Sequence, residues 1–179
     1  MDYITDYFSP LGEITIASDG QSLTGLWFKQ QKYYPDLTQA KAVQAAEIPV
    51  LQATWEWLDR YFAGEKPKTA ELPLAPVGGD FRQVVWQILC EIPYGSLTTY
   101  GEIAKRIATK RGLPKMSARA VGGAVGHNPI SIIIPCHRVV GSNGSLTGYG
   151  GGIATKVKLL TLEGVDMSKL FVPKKGTAL

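Results

Sequence analysis

Cysteine and histidine are nearly missing from this 179-residue chain, which holds two of each: Cys90, Cys136, His127 and His137. No cysteine precedes Cys90 and no CxxC pair occurs, so the spacing of a thiolate zinc site is lacking and no metal is expected. Long apolar runs are missing too, since none approaches the ~20 residues that span a bilayer. The opening residues, Met1-Asp2-Tyr3-Ile4-Thr5-Asp6, lack the basic and apolar regions of a secretion signal. A cytoplasmic protein with free thiols and no membrane association is the expectation. Basic residues are sparse in positions 1–65, where Lys29, Lys32, Lys41 and Arg60 are outnumbered by acids. Acids are sparse from Arg82 to Arg138, where only Glu91 and Glu102 stand among Arg82, Lys105, Arg106, Lys110, Arg111, Lys115, Arg119 and Arg138. Such a stripe is the footprint of phosphate contacts and is equally what a solvated face looks like. The net charge of +4 permits a polyanionic partner without requiring one.

The apolar content of 45% is enough for a packed core, in one ordinary domain or two small ones. Residues 3–29 read as strands: Ile14-Thr15-Ile16-Ala17-Ser18 alternates, Asp19-Gly20 is a hairpin turn, and Leu23 to Phe28 follows. Residues 48–63 read as a helix with Leu51, Trp55, Leu58 and Phe62 on one face. Gly64 to Gly79, carrying Pro67, Pro73, Pro76, Gly78 and Gly79, reads as a linker. Asp80 is expected to cap a helix that buries Val84, Val85, Ile88 and Leu89 and carries Cys90 in its core. Thr99-Tyr100-Gly101-Glu102 is a capping box opening a helix with Ile103, Ala104, Ile107 and Ala108 inward. Ser117 then caps Ala118-Arg119-Ala120-Val121-Gly122-Gly123-Ala124-Val125, and the pair fits a helix-turn-helix unit.

That second helix carries little bulk except Arg119 and spends two glycines, each costing ~1 kcal/mol against alanine. Small residues admit a large partner close to the backbone, with one long cation in the first turn. Tight internal packing, with Arg119 in a surface ion pair, explains the composition as well. Further on, Ile130-Ser131-Ile132-Ile133-Ile134 reads as a strand running into Pro135-Cys136-His137-Arg138. Neighbours in a strand point to opposite faces, but Pro135 favours a bend that brings imidazole round to sulfur. A thiol beside a histidine is the arrangement that makes a thiolate nucleophile. On the dipeptide alone, a buried structural cysteine followed by a surface histidine is the simpler reading. A last helix, from about Ala154 to Glu163, places Glu163 against the helix dipole.

Tyr100, Ala118-Arg119-Ala120-Val121-Gly122-Gly123-Ala124, Asn128-Pro129, Ile134-Pro135-Cys136-His137-Arg138-Val139-Val140 and Leu159-Leu160 through Glu163-Gly164 together carry a family resemblance. Over roughly Phe81 to Gly164 the chain resembles the O6-alkylguanine-DNA alkyltransferases. The resemblance implies an α+β protein: a ribonuclease-H-like α+β domain of antiparallel sheet plus helix at 1–75, and a mostly helical DNA-binding and alkyl-transfer domain with a helix-turn-helix at 76–170. A basic tail, 171–179, lies beyond. It implies a single-turnover methyltransferase that moves the O6-alkyl group of guanine in DNA onto Cys136, without cofactor. In that family's scheme His137 takes the thiol proton through a water, Glu163 orients His137, Tyr100 protonates the leaving guanine, and Asn128 braces the turn carrying Cys136. Arg119 fills the gap left by the flipped nucleotide. Thr99, Tyr100, Ala118, Ala120 and Gly122 face the minor groove of double-stranded DNA, bound by a monomer. Pro135, Tyr149, Gly150 and Gly151 wall the pocket. The absence of a side chain at Gly150 suggests room for alkyl groups larger than methyl, and whether O4-alkylthymine is accepted stays open. Three other readings stand beside this one. A non-catalytic lesion binder of the same architecture would lack use for Cys136 beside His137. A thiol hydrolase would leave the small-residue helix unexplained. A helix-turn-helix regulator needs polar base-reading side chains that Ala120, Gly122, Gly123 and Ala124 do not offer.

Overall fold

The computed structural model describes residues 2–174, which form two compact units. The first unit comprises the chain up to Val77 together with a returning segment, Pro129–Ile133, and the second holds Gly78–Asn128 and the chain from Ile134 onward. The division falls within two residues of the expected boundary, but the return of 129–133 to the first unit is not foreshadowed by the sequence pattern. Among the described residues no helix is long and apolar enough to cross a membrane.

In the first unit β1 (Tyr3–Ser9), β2 (Gly12–Ser18) and β3 (Leu23–Phe28) form an antiparallel meander, and β4 (Lys41–Ala42) adds to β1 in parallel, giving the order β3-β2-β1-β4. The β2–β3 turn is an Asx-turn: the Asp19 carboxylate accepts from the amides of Gln21 and Ser22, and Gly20 takes φ +102°. The alternation expected of β2 does not translate into one wet face, because Ile14 to Ser18 are all buried. Thr15 points away from the apolar side, where its hydroxyl donates to Asp6 and meets the Tyr34 hydroxyl, so its burial is satisfied. Helix α1 (Pro49–Phe62) packs on the sheet through Val50, Leu51, Thr54, Trp57, Leu58 and Tyr61. The buried stripe is therefore rotated from the expected one: Trp55 and Phe62 sit at its margin, where their rings pack around Tyr7. With aromatics at positions 55, 57, 61 and 62, more than one face meets the helical period.

The second unit opens with α2 (Asp80–Cys90), whose N-cap is Gly79 rather than the expected Asp80. Asp80 is the first helical residue, where its carboxylate still favours the positive end of the dipole. Both other caps form as expected. The Thr99 hydroxyl accepts from the Glu102 amide at 3.1 Å and the Glu102 carboxylate accepts from the Thr99 amide at 3.0 Å, starting α3 (Tyr100–Arg111). Ser117 accepts from the Ala120 amide to start α4 (Ala118–Gly126). Gly112 ends α3 in the left-handed region, and α3 packs on α4. A short parallel ladder joins β5 (Thr98–Thr99) to β6 (Val139–Val140), and α5 (Ile153–Leu162) follows. This ladder fixes the start of α3 beside the chain that has just passed Cys136.

The chain beyond α5 does not begin as a free tail. Phe171 pairs with Ser145, its amide donating to Gly144 and its carbonyl accepting from Leu146. Leu170 and Met167 pack against a small core of Val140, Leu146 and Leu160. Of the expected basic tail, Phe171 is thus paired, while residues 175–179 lie outside the described ones. The strap passes so close that a Cβ on Gly144, at φ +88°, would stand 2.2 Å from the Lys169 carbonyl oxygen. Gly144→Ala is expected to cost about 1–3 kcal/mol through backbone strain and that clash, read as a lower urea midpoint at unchanged slope. An unchanged midpoint would mean that the strap does not hold in solution.

Candidate active site

The apolar run before Cys136 is not the expected strand. Only Ile130 bridges, and 131–133 turn, with Ile132 at φ +70°. Pro135 then adopts φ −82°, ψ 63°, an inverse γ-turn closed by the Cys136 amide on the Ile134 carbonyl at 2.8 Å. Cys136–Arg138 form one turn of 3-10 helix. The bend expected at Pro135 is present, but its consequence is to bury Cys136, His137 and Arg138 together.

Asn128, also buried, uses both protons of its amide nitrogen on this turn: one goes to the Ile134 carbonyl at 2.8 Å, the other to Cys136 Sγ at 3.1 Å. His137 Nε2 lies 2.6 Å from Oε1 of Glu163, the residue that caps the C-terminus of α5. The same carboxylate accepts from Arg138 Nε and Nη2, both at 2.9 Å, and from the Gly95 amide at 3.1 Å. Arg138 Nη1 closes the set on the Ile92 carbonyl at 2.6 Å. Arg138 therefore does not belong to the basic stripe in which the sequence placed it; it is the buried counter-ion of Glu163.

This pairing sets the protonation states. Burial alone would raise the Glu163 carboxyl, but the bonds from His137 and Arg138 overcome it and hold Glu163 well below the usual carboxylate range. An ionised Glu163 can only accept, so His137 Nε2 carries a proton and Nδ1 is the bare nitrogen. Nδ1 is buried and has no hydrogen-bond partner among the described residues. Because Arg138 already balances Glu163, burial dominates at His137 and pushes its pKa down. Burial likewise pushes the Cys136 thiol up, against the opposing pull of Asn128 and Lys156. The resting pair is a neutral thiol and a neutral imidazole. Burial thus opposes, at both groups, the thiolate expected from a Cys-His neighbourhood.

Lys156 belongs to this buried centre, and sequence reasoning missed it. It is fully buried on α5, and its Nζ donates to the carbonyls of Val139 at 2.5 Å and Thr147 at 2.9 Å. Burial lowers its pKa to about 8, and among the described residues no carboxylate pairs with it. The signal was available, since Lys156 lies four residues before Leu160 and seven before Glu163, on the same helical face. Tyr100, the first residue of α3, donates to the same Thr147 carbonyl at 3.1 Å, and burial raises its hydroxyl to about 12. Gly148 permits this approach, since a Cβ there would stand 3.2 Å from the Tyr100 hydroxyl. Tyr149 is buried with its ring 6.4 Å from that of His137. The structure thus gathers Tyr100, Asn128, Pro135, Cys136, His137, Tyr149, Lys156 and Glu163 in or beside one buried centre, with Gly150 and Gly151 following Tyr149 in its loop.

Arg119, Ala118 and Ala120 are exposed on the first turn of α4, and Thr99 commits its hydroxyl to the cap of α3. Internal packing does not require the glycines of α4. A Cβ on Gly123 would meet nothing within 4 Å, and one on Gly122 would make ordinary contact with the Tyr100 ring at 3.7 Å. The tight-packing explanation of these two glycines therefore loses its basis. Among the described residues no group of three His, Cys, Asp or Glu side chains could hold a metal ion.

The protonation states predict an acid-sensitive fold. Below about pH 6.5 an unfolded histidine binds a proton that folded His137 does not, so the unfolded state binds more protons and stability falls as pH falls. Glu163, depressed in the folded state, adds to the fall below about pH 4.3. The stability difference between wild type and His137→Gln, measured by urea unfolding, should shrink from pH 7.5 to 5.5. A difference independent of pH would show that folded His137 titrates as in water.

Two family models match the chain: the ribonuclease-like domain of 6-O-methylguanine DNA methyltransferase over residues 3–76, and its DNA binding domain over 80–165. The methylated-DNA–protein-cysteine methyltransferase of Haemophilus influenzae is 49% identical over 161 residues, covering 90% of this chain and 86% of the relative. That of Methanosarcina acetivorans is 45% identical over 162 residues, covering 90% and 98%. Among solved structures, the Mycobacterium tuberculosis O6-methylguanine methyltransferase superposes with a TM-score of 0.79 at 43% identity, covering 98% of this chain and 97% of that one. Mycobacterium tuberculosis OGT in complex with DNA gives 0.76 at 43% identity, covering 90% and 93%. With both family models matched in order and nearly the whole chain covered, this protein belongs to the 6-O-methylguanine DNA methyltransferase family.

Proposed function

We propose that this protein repairs O6-alkylguanine in DNA by transferring the alkyl group, once, to its own Cys136. The observation that carries the reading is the bare Nδ1 of His137, held by an ionised Glu163 one residue from a buried thiol. In the reaction the S–C bond forms as the O6–C bond breaks. The thiol proton passes to His137 Nδ1, and the imidazolium is stabilised by Glu163. The thiolate is stabilised by the ammonium of Lys156. Tyr100 gives its hydroxyl proton to the departing guanine as charge builds on the ring. The product is a thioether, so one molecule serves one lesion and no cofactor enters.

A base inside a duplex stack cannot reach a buried sulfur, so the lesion has to be extruded at a cost of a few kcal/mol. The open surface over Gly122 and Gly123 suits close approach to a minor groove, with α3 and α4 acting as the helix-turn-helix. Thr99, Ala118 and Ala120 line the approach, and Arg119 fills the gap in the stack. Tyr149, Gly150, Gly151 and Pro135 wall the pocket that takes the base. The protein acts as a monomer in the cytoplasm.

The test is intact mass after incubation with a duplex holding one O6-methylguanine. A gain of one methylene, mapped to Cys136 and absent in Cys136→Ala, is expected; tight binding without mass gain would instead make the protein a lesion sensor. Gly150→Trp is expected to slow transfer of a benzyl group relative to methyl by about tenfold or more, through lost pocket space. Equal benzyl rates in single-turnover assays would show that Gly150 does not set the pocket width.

A further inference from the structure

The segment that leads into Cys136 is bent twice. At Ile132, φ +70° with the Ile133 amide on the Ser131 carbonyl at 2.8 Å makes a γ-turn of the rare, strained hand, on a β-branched residue that ordinarily avoids this region. Three residues later the relaxed, inverse γ-turn at Pro135 presents Cys136. A strained turn persists only where its surroundings over-determine it. The grip on this one comes from the first unit, to which Pro129–Ile133 belong. Leu26 of β3 donates to the Pro129 carbonyl and accepts from the Ser131 amide, both at 2.9 Å. The Ser131 hydroxyl lies 3.2 Å from Gln31 Oε1, which also accepts from the Phe28 amide at 3.0 Å. Thr69 Oγ1 donates to the Ile133 carbonyl at 2.9 Å. Thr69 is itself fixed, because the Trp57 indole holds the Lys68 carbonyl at 2.9 Å and Arg60 pairs with Glu71 at 2.6 Å across the same turn.

We infer that the first unit serves the alkyl transfer as a clamp on the γ-turn at Ile132, with Thr69, Ser131 and Gln31 as positioning residues that set where Cys136 Sγ stands. The inference rests on the transfer reaction proposed above. None of the three touches the reacting atoms. They act through the chain: the Ile133 carbonyl that Thr69 holds is followed at once by Ile134, whose carbonyl is held by Asn128, and then by Pro135 and Cys136. Releasing the Thr69 end frees the strained turn to relax and lets the sulfur move relative to His137 and to an in-line alkyl carbon. Misplacement of a nucleophile on the order of 1 Å lowers rate without lowering ground-state affinity.

The experiment is single-turnover transfer from a duplex holding one O6-methylguanine, with rate at saturating DNA and DNA affinity measured separately on the full chain. Thr69→Val, which keeps shape and removes the donor, is expected to lower the saturating rate about 10- to 100-fold with affinity unchanged. Thr69→Ser, which keeps the hydroxyl, should restore it, and Ser131→Ala should slow transfer in the same sense. Wild-type rate in Thr69→Val would overturn the clamp. So would a joint fall of rate and affinity in Thr69→Val, which is what general loss of structure gives. No transfer by the wild type would remove the underlying reaction instead, and is thereby told apart from failure of the clamp.

Discussion

A carboxylate that is nearly inaccessible to water has to find donors, and Glu163 finds them in Gly95, His137 and two nitrogens of Arg138. Those three residues come from two separate stretches of chain: Gly95 from the turn after α2, and His137 and Arg138 from the 3-10 turn that begins at Cys136. Withdrawing any of them leaves a buried charge short of partners, which typically costs several kcal/mol. The second unit is therefore tied at the point where its chemistry happens. The Arg138 contact also keeps the charge in balance, so that His137 is free to remain a base. Sheet β5–β6 and the strap through Phe171 extend the same tie outward, holding Tyr100 and the 144–149 loop to the backbone on either side of Val140.

Local chemistry in this chain was legible where the signal was local. Thr99 and Ser117 cap the helices they were expected to cap, and the Asp19-Gly20 turn forms, because each depends on a side chain and the few amides next to it. The second half was legible also because a specific set of short motifs brings Cys136, His137 and Glu163 into one family pattern. Failures came where burial depends on distant partners. Ile130 to Ile134 looks like a strand because an unbroken apolar run carries no period, and nothing within it announces that Ile132 takes a left-handed backbone. Arg138 reads as surface charge until Glu163 is seen beside it. Lys156 shows its face by helical spacing, but a lysine is ordinarily a poor candidate for full burial.

The small residues of α4 illustrate how a structure decides between two explanations that composition leaves level. Glycine in a helix interior is unfavourable, so some benefit has to offset it. Were that benefit internal packing, a methyl group in place of a glycine hydrogen would meet the neighbouring helices. At Gly123 it would meet open space. Internal packing therefore does not account for Gly123, and the DNA approach proposed above offers a benefit on the face that also carries Arg119. In the same way Gly148 and Gly144 are explained from within, by Tyr100 and by the Lys169 carbonyl that stand against them.

The neutral, enclosed state of Cys136 has a bearing on how long the molecule lasts. Thiolates are what peroxides oxidise and what soft metals capture. A catalyst that turns over many times can absorb slow damage to a fraction of its copies, but a protein with one nucleophile to spend loses its whole capacity with the first stray hit. By holding the sulfur protonated beneath its neighbours, with base and counter-charge already arranged around it, the fold separates readiness from reactivity. Its shelf life is set by the waiting state, and its speed by an event that only the lesion brings about.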